Sequence, residues 1–184
     1  MSYDEALLAI DKFYQSDAFY ELLNKRVGFR TESNLPNRNA ELQNYLDEEI
    51  APYLKKMGFS CVIHDNPCAD AGPILVAHRN EGEHLPRVMT YGHGDVVAGY
   101  DEQWQDGMTP WEITKSDGVW YGRGTADNKG QHTINFAAMD VVLSLRGRLG
   151  FNVIVLIEMG EERGSPGLKD FCKNNAELFK ADVF

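Results

Sequence analysis

The chain has 184 residues, 43% of them apolar, which is enough for one sizeable core and about one domain. A net charge of −10 excludes the basic footprint that a nucleic-acid partner requires. The longest aliphatic run, residues 153–157, falls far short of the roughly 20 apolar residues of a membrane helix. The opening Met1-Ser2-Tyr3-Asp4-Glu5 is acidic where a secretion signal is basic, so the expected location is cytoplasmic. Cys61, Cys68 and Cys172 cannot all pair and form no CxxC spacing, which argues against a disulfide framework or a cysteine-rich zinc module.

Leu7, Ile10, Phe13 and Tyr14 space an amphipathic helix near the start. The turn-forming Asn34-Leu35-Pro36-Asn37 separates it from a helix with Leu42, Tyr45, Leu46, Ile50, Leu54 and Met57 on one face, ended by Gly58. Short β-type runs follow at residues 59–63, 74–77 and 87–91. Runs at 111–116 and 119–122 flank Asp117-Gly118, a strong hairpin signal. Next comes a helix with Ile134, Ala137, Ala138, Val141, Val142 and Leu145 on one stripe, then a buried-type strand at 151–157. Ser165-Pro166 predicts a helix start, with Ser as N-cap and Pro at the first helical position. Residues 181–184 begin a further strand. This alternation predicts an α/β layered domain over residues 1–184 with a central mixed sheet, whose chemistry sits just after strand ends.

Polar clusters occupy three such ends. They are Gly92-His93-Gly94-Asp95, the segment from Gly122 through Asp127 to Gly130, and the segment from Glu158 through Glu161-Glu162 to Ser165. Each has a structural reading by itself. A single His after a strand is commonly a satisfied polar group, Asp127 suits a helix N-cap, and paired glutamates favour a helix N-terminus. Their recurrence shifts the balance, because imidazole with carboxylates is a ligand set for Zn²⁺ and the surrounding glycines let the backbone turn towards one point. His93 and Asp95, two apart, would share a face of a straight strand, so that one can ligate metal while the other fixes the imidazole tautomer. Glu161 and Glu162 would diverge in an extended segment, which suits one ligand and one free carboxylate able to accept a proton. The Gly122-x-Gly124 pair is also reminiscent of a dinucleotide-binding turn, with Glu158 as the ribose acid. Asp127 occupies the third glycine position, where its charge would face a pyrophosphate.

Together, GHGDVV, W…PWE, DGVWYGRGTADNKG and EMGEERGS resemble the zinc aminoacylase and carboxypeptidase family, which includes carnosine-type dipeptidases, glutamate carboxypeptidases, acetylornithine deacetylase and succinyl-diaminopimelate desuccinylase. The resemblance covers residues 87–184. It implies a three-layer α/β/α catalytic domain with His93 as ligand of one zinc, Asp95 as its orienting partner, and Asp127 bridging two zincs through a segment with a cis Asp127-Asn128 peptide. It further implies Glu161 as the general base and Glu162 as ligand of the other zinc, with Co²⁺ or Mn²⁺ as alternatives to Zn²⁺. Asn128 departs from the family's commoner Asp.

The implied reaction is hydrolysis of amide bonds in dipeptides or N-acyl amino acids, and the tryptophan-rich loop with its PWE segment leans towards dipeptidases. Two further ligands and a lid domain that mediates homodimer formation are expected outside these residues, Asp182 being left unassigned. The chain by itself is therefore expected to fold without turning over substrate. A non-catalytic metal-binding or interaction domain that keeps the fold is the alternative. His64, His78, His84 and His132 match no ligand position; Lys129 and Arg123 suit either a substrate carboxylate or the site acids. Trp104, Trp111 and Trp120 read as packing residues.

Overall fold

The computed structural model describes residues 2–184. Helix α1 (Tyr3–Gln15) opens with a Ser2/Glu5 capping box, in which the Ser2 side chain accepts from the Glu5 N–H and the Glu5 carboxylate from the Ser2 N–H. Helix α2 (Ala18–Val27), absent from the sequence expectations, buries Leu23 and Val27 against Ile113 and the half-buried Phe19, Tyr20 and Trp120. The long helix expected next is present but not uniform. It runs as α3 (Asn39–Asn44), a π-helical stretch (Tyr45–Ile50) and α4 (Ala51–Lys56). The Ala51 N–H reaches back five residues to the Leu46 carbonyl, just ahead of Pro52, which has no N–H to continue the ladder.

Gly58 ends α4 at φ +79°, with its N–H on the Lys55 carbonyl and that of Phe59 on the Leu54 carbonyl. The side chain of Arg79, which donates to the Met57 carbonyl, fills the space a Cβ would take. Gly58→Ala is therefore expected to cost about 1–2 kcal/mol, read as a shift in a urea unfolding midpoint at unchanged slope.

Four strands build the main sheet: β1 (Ser60–His64), β2 (Ile74–Arg79), β3 (Arg87–His93) and β6 (Asn152–Glu158), in the order β1-β2-β6-β3. The first two pairings are antiparallel and β6–β3 is parallel, so the sheet is mixed. Alternation on the central strands feeds two cores. Leu75, Ala77, Val153, Val155 and Ile157 face the π-helical stretch, α4 and helix α5 (Lys129–Arg146). Ile74, Val76, Ile154 and Leu156 face helix α6 (Leu168–Asn174) through Phe171. Helices on both faces give the three-layer α/β/α arrangement.

Strands β4 (Thr114–Ser116) and β5 (Val119–Tyr121) form the expected hairpin, with Asp117 and Gly118 both at positive φ as that turn requires. Its Trp120 packs among Tyr14, Phe19 and Tyr20. The strand expected at 181–184 amounts to a parallel bridge from Val183 to Val88, with the Met89 N–H on the Val183 carbonyl.

The helix start expected at Ser165-Pro166 is corrected. Ser165 lies at φ +52° and its hydroxyl donates to Glu158, so α6 begins at Leu168 after Gly167. A buried carboxylate has taken the hydroxyl that would have capped the helix. Among the described residues no helix is long and apolar enough to cross a membrane.

Candidate metal centre

Parallel β3 and β6 end side by side, with His93 directly opposite Glu158. The loop after each strand and the segment leading into α5 therefore meet at one sheet end, where open α/β sheets carry their sites. His93 lies on the floor, its side chain 4% exposed, with Nε2 2.9 Å from Asp127 Oδ1 and 3.6 Å from Glu161 Oε2. Donor atoms of His93, Glu161 and Glu162 all lie within 4.8 Å of one another. Asp127 and Glu161 form the rim, at 70% and 42% exposure. The Asp127-Asn128 peptide is cis. Asp127 does not cap α5: Asn128 holds that position, with its side chain engaged elsewhere.

Asp95 lies just beyond the end of β3 and is fully buried. Its backbone carbonyl is 3.0 Å from His93 Nδ1 and its carboxylate 3.3 Å, so the imidazole keeps its proton there and turns Nε2 towards the acids. The carboxylate also accepts the backbone N–H groups of Glu161 (3.2 Å) and Glu162 (3.1 Å) and the Ser33 hydroxyl (2.6 Å). One buried anion thus fixes both the histidine and the turn that carries the two glutamates. That turn is a 3-10 helix (Glu161–Arg163), not the extended segment expected from the sequence.

Four carboxylates surround one imidazole. Burial works against a charge on His93, but the hydrogen bond and charge of Asp95, helped by Asp127, hold its pKa up at about 9. Burial raises Glu162, and the charges of Asp127, Asp95 and Glu161 push the same way against that of His93. Such an excess of negative donors calls for a cation. An imidazole nitrogen with carboxylate oxygens converging on it fits a divalent metal of the zinc type. Lys129 does not supply the charge. It is buried beneath the site and donates to the Phe29 carbonyl at 2.6 Å, and among the described residues it forms no ion pair with the site acids. Burial lowers its pKa to about 7 against the pull of Asp95 and Glu32.

Glu158 belongs to the same sheet end, although its motif gave it no role in metal chemistry. It is buried, accepts from the Tyr91 hydroxyl (2.6 Å) and the Ser165 hydroxyl (2.8 Å), and burial raises its pKa. Its place beside His93 is a matter of strand register, which no local pattern encodes. His64 packs on Phe171, and His78 lies beyond the cluster on β2, its pKa lowered by burial and by Arg87. Among the described residues Arg123 makes no ion pair, and it lines a cavity of about 310 Å³ with Tyr100, Trp104 and Tyr121. Trp111 stacks under Arg30 and donates to Asp101. The three cysteines are free.

Fold and donors define a class: an open α/β/α sheet domain with an imidazole and carboxylate cluster, suited to a divalent metal, at the C-terminal ends of its parallel strands. Residues 89–184 match the model of peptidase family M20/M25/M40, and the chain belongs to that family. It is 27% identical over 169 residues to a cysteinylglycine-S-conjugate dipeptidase of Corynebacterium striatum, covering 91% of this chain and 36% of that protein. It is 29% identical over 171 residues to an N-formyl-4-amino-5-aminomethyl-2-methylpyrimidine deformylase of Halalkalibacterium halodurans, covering 92% and 38%. Among solved structures, human carnosine dipeptidase 1 superposes with a TM-score of 0.86 at 26% identity, over 97% of this chain and 39% of that one. The chain thus spans between a third and two fifths of the length of these relatives.

Proposed function

We propose that this chain forms the metal-binding part of the active site of a hydrolase that cleaves dipeptides or related small amides. The observation that carries the reading is the convergence of His93, Glu161 and Glu162 above the ends of β3 and β6, with Asp127 against His93 Nε2. His93, Asp127 and Glu162 are the residues that would hold the metal of a dinuclear zinc site; Co²⁺ and Mn²⁺ suit the same donors. When bound, the metal supplies Lewis acidity to the scissile carbonyl and makes water acidic enough to attack near neutral pH. Glu161 reaches the site from the solvent-facing rim, takes the proton of the attacking water and delivers it to the leaving amine. Asp95 holds the imidazole in the tautomer that leaves Nε2 free.

The dipeptidase and deformylase relatives share cleavage of a small amide, which supports that substrate class. Glu161 on the open side of the cluster favours a catalytic over a binding-only domain. These residues contribute one imidazole to the cluster, so the chain alone is proposed to bind metal without turnover.

Calorimetric titration of chelator-stripped chain with Zn²⁺ tests the assignment. Binding is expected for the wild type and is expected to vanish in Asp127→Ala. His93 carries a proton below about pH 9, and the metal must displace it. About one proton should therefore be released per His93-bound ion at pH 7.5, seen by comparing buffers of different ionisation enthalpy. The affinity should climb about tenfold per pH unit towards pH 9 as the proton ceases to compete. Binding that is unchanged in Asp127→Ala, or independent of pH, contradicts the assignment.

A further inference from the structure

Beneath His93 runs a chain of buried hydrogen bonds that the reaction does not use. Tyr45, in the π-helical stretch, has its hydroxyl 2.7 Å from His132 Nε2, and both residues are buried. His132 Nδ1 is 3.3 Å from the Asn128 amide oxygen, which also accepts the His93 backbone N–H at 3.2 Å. The Asn128 amide nitrogen donates to Gln131 at 2.9 Å. The polarity follows from what each group can do. Asn128 Oδ1 accepts from His93, so His132 also presents an N–H to it, and the remaining ring nitrogen accepts from the Tyr45 hydroxyl. This needs a neutral imidazole. Burial, with the charges of Arg26, Lys129 and His93, keeps the His132 pKa well below its ordinary value.

The two glycines beside His93 are shaped to this network. A Cβ on Gly92 would meet the Asn128 amide oxygen at 2.9 Å and His132 Cβ at 3.3 Å. A Cβ on Gly94 would meet the Tyr45 ring at 2.5 Å. Tyr45 and His132 therefore lie directly against the backbone that presents His93, and only glycine lets them do so.

We propose that His132 and Tyr45 are positioning residues of the metal centre: through the Asn128 amide they fix the end of β3 and so the point at which His93 Nε2 meets the acids. The proposal rests on His93 being a metal ligand. The network closes the His93 backbone from below while Asp95 holds its ring from the side.

The test is titration of chelator-stripped chain with Co²⁺, following affinity and the visible absorption at saturation. His132→Phe removes the donor to Asn128 and is expected to weaken binding about 10–100-fold and to alter the absorption bands. His132→Asn, which returns an N–H near the Nδ1 position, should recover most of the affinity. Tyr45→Phe keeps the ring on Gly94 and deletes one hydroxyl, and a smaller loss in the same direction is expected; it decides the matter if His132→Phe does not fold. Phe171→Ala, in the core on the opposite sheet face, serves as a destabilised control with unchanged affinity and spectrum. If the wild type binds and the folded His132 and Tyr45 variants bind with the same affinity and bands, the positioning role is wrong and the metal centre stands. If the wild type itself does not bind Co²⁺, the metal assignment fails and this inference fails with it.

Discussion

Asp95→Ala is expected to remove measurable Zn²⁺ binding and to lower the stability of the chelator-stripped chain by about 3–5 kcal/mol. The size follows from the number of groups left behind. The half-buried Glu161 and Glu162 N–H groups and the buried Ser33 hydroxyl all lose their acceptor, and His93 loses the carboxylate beside its Nδ1. Alanine brings no replacement acceptor for these donors. Because the same carboxylate holds both glutamates, the 3-10 turn is freed and the ligand set disperses. Asp95→Asn separates charge from shape: it fits the space but turns an NH₂ towards a donor, so a large loss is expected there as well. Urea unfolding with parallel Zn²⁺ titration measures both effects. An Asp95→Ala chain within about 1 kcal/mol of wild type and with unchanged affinity would show that the glutamate turn stands without this anion.

Glu161→Gln, examined in the complete metal-loaded enzyme, is expected to lower kcat by about 10²–10⁴-fold. Metal affinity should change much less, because the assigned ligands His93, Asp127 and Glu162 are untouched. Glutamine keeps the size and the contact to the site but cannot take a proton from water. Glu162→Gln should behave in the opposite way, losing metal first and activity in consequence. Adding excess Zn²⁺ is therefore expected to restore activity in part to Glu162→Gln and not to Glu161→Gln. If the two variants respond alike to added metal, the division of labour between these adjacent glutamates is wrong.

Much of the fold is local in origin, and local features were readable in the chain. The helical stripe from Leu42 to Met57, the stop at Gly58 and the Asp117-Gly118 hairpin each follow from side-chain spacing or from one residue's φ preference. The mixed sheet and its two covered faces follow from alternating apolar strands with helices between them. Helix α2 was legible in principle, since Phe19, Tyr20, Leu23 and Val27 follow helical spacing, but charged residues interrupt that pattern. Ser165-Pro166 misled for a physical reason: the hydroxyl that suits a helix cap found a stronger partner in the buried Glu158.

What the sequence by itself determined was where to look: glycine-flanked acids and a histidine after strands single out His93, Asp95, Asp127, Glu161 and Glu162 as candidates, and the family resemblance proposes their roles. What only the tertiary structure decided was how these groups are held. Parallel pairing of β3 with β6 sets His93 beside Glu158, Asp95 ties residues 66 and 67 positions away, and Tyr45 reaches His132 across 87. Those bonds depend on strand register and layer packing, in which every buried donor must find an acceptor somewhere along the chain, and no local window of sequence contains both partners.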